Sequence, residues 1–95
     1  MKERQLLIDS IPTNIIELGE GKPVLFLHGW GSRASNLLEI AERLSHHSFR
    51  CVLVDLPGFG KSGPPPVPWA VKDYAMFVAQ LQEKLGISNL YALVG

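Results

Sequence analysis

Two short stretches hold most of the residues whose types could do chemistry. "FLHGWGS", residues 26–32, sets His28 beside Gly29, Trp30 and Gly31; "VDLPGFGKS", residues 54–62, combines Asp55, Gly58, Gly60 and Ser62. A histidine, an aspartate and a serine are the side chains of nucleophilic acyl transfer, and each could be read as base, acid or nucleophile. The same glycines suggest a second chemistry. Gly58, Gly60 and Gly63 fit G-x-G-x-x-G, and "GKS" matches the tail of a phosphate loop.

The phosphate reading fails on its neighbours. A Walker loop requires a glycine five residues before Gly60, where Asp55 would instead put a carboxylate against the anion. A dinucleotide fingerprint must open a helix, but residues 64–68 are four prolines and a valine, which remove donors and restrict their predecessors. Ser62 also lacks the nucleophile-elbow pattern, because Pro64 stands where G-x-S-x-G needs its last glycine.

The elements that would position these stretches follow from apolar patterning. "RQLLID" (4–9) and "TNIIEL" (13–18) read as an antiparallel strand pair turning through Ser10, Ile11 and Pro12. "VLFLHG" and "FRCVLVDL" are continuous apolar runs of the kind buried on both faces of a sheet, and "NLYALVG" closes the chain as another. Between them, Leu37, Ile40, Ala41 and Leu44 predict a helix of roughly ten residues with Asn36 and Glu39 as a capping box. His46 and His47 fall at its carboxyl end as solvated caps. Tyr74, Phe77, Val78, Leu81 and Leu85 predict a longer helix, with Asp73 in its first turn and Gly86 as terminator. Alternation of strand and helix predicts an α/β fold: a mostly parallel sheet of about five strands, the first two antiparallel, with two helices.

Composition narrows the functions. In 95 residues, 46% are hydrophobic and nine basic residues balance nine acidic ones, so a buried core is expected and a field for gathering nucleic acid or anionic lipid is not. No apolar run approaches a secretory core or a membrane span of about 20 residues, which predicts a cytoplasmic protein with no membrane partner. Cys51 is the lone cysteine, inside an apolar run, and predicts a buried thiol with no disulfide, metal site or cofactor.

Together, "FLHGWGS" and "VDLPGFGKS" resemble the N-terminal portion of the α/β-hydrolase superfamily: its HG loop after the third strand and its D-x-x-G-x-G-x-S segment after the fourth. The resemblance covers essentially the whole chain. It implies that residues 1–95 are the N-terminal part of a single α/β-hydrolase domain, cut at the nucleophile elbow, with Gly95 as the elbow's first glycine. It further implies that the backbone N–H of Trp30 is half of an oxyanion hole and that His28, Gly29 and Gly31 shape the oxyanion loop. Asp55, Gly58, Gly60 and Ser62 become a structural glycine loop, with Asp55 accepting backbone N–H bonds. No catalytic side chain is then expected within the chain; nucleophile, acid and histidine would follow Gly95, and the 95 residues alone would be inactive. "HGWG" with "DLPGFGKS" most resembles carboxylesterase-like members, including pimeloyl-carrier methyl ester esterases, and implies a serine hydrolase of small ester-like substrates. The alternatives are a non-catalytic interaction module on the same scaffold or an inactive truncated product. Epoxide or halide hydrolysis stands lower, because Gly31 occupies the position where those relatives usually carry proline.

Overall fold

The computed structural model describes residues 1–28 and 32–87, and the backbone of 92–94. Five strands form one sheet: β1 (Lys2–Ile8), β2 (Ile11–Leu18), β3 (Lys22–Leu27), β4 (Phe49–Val54) and β5 (Ala92–Val94). Their spatial order is β1-β2-β4-β3-β5. β2 pairs antiparallel with both β1 and β4, whereas β3 pairs parallel with β4 and β5, so β2 alone runs against the other four.

The β1–β2 hairpin turns earlier than its proline suggests. Ile8 pairs with Ile11 across a two-residue turn, and Asp9 and Ser10 both have positive φ (51° and 63°), as a turn matching the strand twist requires. Ile11 and Pro12, expected in the turn, lie inside β2. Pro12 lies ahead of Ile15, where the pairing with β4 begins, so its missing N–H interrupts no bond to β4, and its carbonyl accepts an N–H from Gly63 in the glycine loop.

Alternation along the strands builds two cores. Val52 and Val54 of β4, Leu25 of β3 and Ile15 of β2 face α2 (Val71–Leu85) with Phe77 and Leu81; Cys51, Leu53, Val24, Phe26 and Ile16 face α1 (Leu38–Ser45) with Ala41. Both faces are covered, which is why these strands read as continuous apolar runs. Burying a side chain such as Phe77 or Leu81 contributes about 1.5–3 kcal/mol.

α1 differs from its sequence pattern in two ways. A 3₁₀ turn, Ala34–Leu37, precedes it, and Asn36 sits within that turn with its amide on Ser32 Oγ (2.8 Å); the expected Asn36–Glu39 capping box does not form. Ile40, expected on the buried face, is 52% exposed, while Leu37, Leu38 and Leu44 pack against the core. His46 and His47 are exposed at the helix end. α2 follows its pattern closely. The Asp73 carboxylate accepts the Ala70 N–H (2.8 Å) at its start. At its end Gly86, with φ 71°, lets its own N–H reach Glu83 O and the Ile87 N–H reach Gln82 O, a Schellman motif.

Candidate functional site

The two singled-out stretches leave the carboxyl ends of adjacent parallel strands β3 and β4, the edge where open α/β sheets place their ligands. Gly29, Trp30, Gly31 and Gly95 lie outside the described residues, as does the expected role of the Trp30 N–H. What the structure does place is the frame on both sides of residues 29–31.

On one side stands His28, 7% exposed. Its Nε2 accepts the backbone N–H of Leu56 (3.0 Å), and its ring meets Phe59 edge-on at 5.3 Å. An imidazole accepting at Nε2 carries its proton at Nδ1, and that lone pair is already engaged by a backbone donor. The geometry therefore suits a brace between the two loops and not a base at a reacting centre.

On the other side stands Asp55, 3% exposed and first after β4. Its Oδ1 accepts the N–H of Ala34 at 2.7 Å; its Oδ2 accepts the N–H of Lys61 (3.1 Å) and the side-chain amide of Asn14 (3.0 Å). A carboxylate receiving three donors resists rotation, and charge-assisted bonds are the stronger kind. Ala34 is fully buried at the start of the 3₁₀ turn, so the orphan amide that a local cap would have taken is satisfied by a strand end 21 residues away. The segment between 28 and 34 is thus fastened at both flanks to consecutive residues, Leu56 and Asp55.

The glycine loop closes on the same carboxylate. Gly60 has φ 54°, and a Cβ there would fall on Asp55 Oδ1 and Cγ, so only glycine allows this approach. Ser62 completes the β2–β4 ladder. The Asp55 N–H bonds Asn14 O at 3.0 Å, but the return bond is relayed through a hydroxyl: Asn14 N–H donates to Ser62 Oγ (2.8 Å), which donates to Asp55 O (2.5 Å). Gly58 N–H bonds Gly63 O, and Tyr74 of α2 donates its hydroxyl to Pro57 O (3.1 Å). The N–H groups of Leu56, Gly58, Phe59, Lys61, Ser62 and Gly63 are all directed at protein acceptors, which argues against an amide cradle for a phosphate.

Residues without an obvious motif complete the network. Asn14 Nδ2 also donates to Glu3 Oε2 (2.9 Å), and Lys61 Nζ meets the same oxygen at 3.1 Å. The Asn14 amide, then the Lys61 ammonium, hold the Glu3 carboxyl below the usual glutamate value. A small cleft of about 190 Å³ opens here, with Asn14, Asp55, Gly60, Lys61, Arg33 and Leu38 among its walls. Sequence reasoning passed over Asn14 and Glu3; the one signal was an asparagine, a residue depleted in strands, directly before Ile15 and Ile16. Cys51 lies away from the site, buried in the α1-side core, its thiol facing Ala41 O and its pKa raised by desolvation. Among the described residues no group of three His, Cys, Asp or Glu could hold a metal, and no helix is long and apolar enough to cross a membrane.

Comparison with known proteins agrees with this frame. The family model described as alpha/beta hydrolase fold matches residues 22–95. The pimeloyl-[acyl-carrier protein] methyl ester esterase of Proteus mirabilis (strain HI4320) is 47% identical over 80 residues, covering 82% of this chain and 30% of the relative. Among solved structures, an epoxide hydrolase from Vigna radiata superposes with a TM-score of 0.90 at 25% identity, covering 98% of this chain and 30% of that one. A bromoperoxidase from Bacillus anthracis does so at 0.88 and 28% identity, covering 99% and 34%. The chain therefore spans about a third of the length of each of these three proteins. With strand order, bracketed loop and family match in agreement, the chain belongs to the α/β hydrolase fold family.

Proposed function

We propose that residues 1–95 are the N-terminal part of a single α/β-hydrolase domain, a serine hydrolase acting on small carboxylic esters. Its nucleophile, acid and histidine would lie beyond Gly95, the first glycine of the elbow. In this reading serine attacks the acyl carbon, histidine takes and returns the proton, and the Trp30 N–H binds the developing oxyanion; one such donor is typically worth about 2.7–4 kcal/mol. The chain's own contribution is preorganisation. The observation that carries the reading is the double fastening of the loop, His28 to the Leu56 N–H and the Ala34 N–H to the Asp55 carboxylate. A donor aimed at a transition state must be fixed before the reaction, and bonds at His28 and Ala34, on either side of residues 29–31, support that requirement. The ester class is favoured by the 47% identity to the Proteus esterase.

The test is a chimera joining residues 1–95 to the downstream part of that esterase, assayed beside the 95-residue chain on chromogenic methyl and short-chain acyl esters. We expect turnover and fluorophosphonate labelling in the chimera, neither in the chain alone, and loss of kcat on Asp55→Ala. Turnover by the chain alone, or a soluble chimera inert to both probes, refutes the reading.

A further inference from the structure

The family motifs leave Asn14 without a role, yet it makes four defined hydrogen bonds beyond its pairing with β1. Its N–H and O serve the ladder to Ser62 and Asp55, and the two hydrogens of its side-chain nitrogen go to two carboxylates, Glu3 Oε2 and Asp55 Oδ2. It is 3% exposed, between Thr13 and Ile15, both fully buried. A buried amide is destabilising unless paired, so an unbonded asparagine would be a poor occupant of this position.

We propose that Asn14 is a positioning residue: its amide fixes the plane of the Asp55 carboxylate and thereby sets where the Ala34 N–H and the segment leading into it stand. Asp55 Oδ1 reaches Ala34, and Oδ2 carries the two bonds that oppose rotation about Cβ–Cγ. One of those comes from Lys61, on the glycine loop; the other comes from the middle of the sheet. Only a primary amide places two uncharged N–H donors on one nitrogen, so it can lie between two ionised carboxylates without adding charge. The arrangement is a closed ring, since Lys61 returns from Asp55 to Glu3 through its ammonium group. Strand β1 is thereby connected to the loop bearing the proposed oxyanion donor. The effect on catalysis rests on the function proposed above; the positioning of Ala34 does not.

The experiment reads the Ala34 amide by heteronuclear NMR and hydrogen exchange in the 95-residue chain carrying Asn14→Leu, which keeps the branched side-chain skeleton and removes both donors. Asp55→Asn serves as a second perturbation of the same bond. We expect the Ala34 proton to move upfield and to exchange roughly tenfold faster, while the amides of Phe26 and Val52 keep their protection. If Asn14→Leu does not fold, Asn14→Ser is read in the same way. An unchanged Ala34 amide overturns the proposal, and so does loosening of all amides together in both variants, unfolding included. In an active chimera, Asn14→Leu is expected to lower kcat about tenfold with KM within twofold, the pattern of a lost transition-state interaction. A rise in KM at constant kcat overturns the catalytic part. An inert chimera with a displaced Ala34 amide removes the proposed function and leaves the positioning role standing.

Discussion

Gly60 and Gly58 offer a paired experiment on the glycine loop. Both have positive φ, 54° and 88°, so alanine at either site incurs the left-handed strain of about 1–2 kcal/mol and the same reduction of unfolded-state freedom. Their surroundings differ. A Cβ on Gly58 meets only Pro65 Cδ at 3.4 Å, an ordinary contact, whereas a Cβ on Gly60 overlaps the Asp55 carboxyl, 2.6 Å from Oδ2 and closer to Oδ1 and Cγ. Gly60→Ala must therefore expel the carboxylate from its three donors. Leaving the fully buried Ala34 N–H unpaired alone costs about 1–3 kcal/mol, and losing the charge-assisted partners adds to it. We expect Gly60→Ala to destabilise by about 3–5 kcal/mol and Gly58→Ala by about 1–2. For a chain of this size a difference of about 2–3 kcal/mol separates the melting temperatures by about 8–24 °C. Thermal unfolding followed by circular dichroism measures it. Two variants melting within about 3 °C of each other would refute the placement of Asp55 beneath Gly60.

Gly86→Ala is the complementary case at a helix end: nothing lies within 4 Å of the added carbon, so only the φ of 71° opposes it, and we expect a loss of about 1 kcal/mol by urea titration, smaller for Gly86→Asn. For Glu3, the folded pKa lies below the unfolded value, so its contacts add stability above the ordinary glutamate pKa and lose it as pH falls through the lowered folded one. The urea midpoint of the native chain should accordingly exceed that of Glu3→Gln at pH 6, the two converging in acid; a gap that persists or widens there contradicts the network.

What was legible in the sequence was what depends on local pattern. β3, β4 and α2 lie where their apolar runs and helical spacing put them, because burial on both faces or along one stripe leaves a periodic trace. Several of the misjudged features depend on distant partners. Pro12 suggested a turn, yet Asp9 and Ser10 make it, and the Pro12 carbonyl is used by Gly63, 51 residues on. Asn36 and Glu39 have the spacing of a capping box, but the amide in need belongs to Ala34, and its acceptor is Asp55. Asn14 is recognisable only after residues 3, 55 and 62 converge on it. Asp55 and Ser62 stood in a recognisable motif, but the ladder bond relayed through the Ser62 hydroxyl is a three-way contact that no spacing rule encodes.

The strand order has a consequence for the birth of the chain. β2 and β3 are successive in sequence, yet β4 lies between them. A nascent polypeptide that has produced only the hairpin and β3 owns two sheet fragments with no common border. Synthesis of Phe49–Val54 unites them, after which Asp55 and Ser62 clasp the joint within eight further residues. β4 is thus a keystone delivered late. Slow translation just before it would prolong a species with unmated hydrogen-bonding groups on both fragments, open to capture by chaperones or by its own copies.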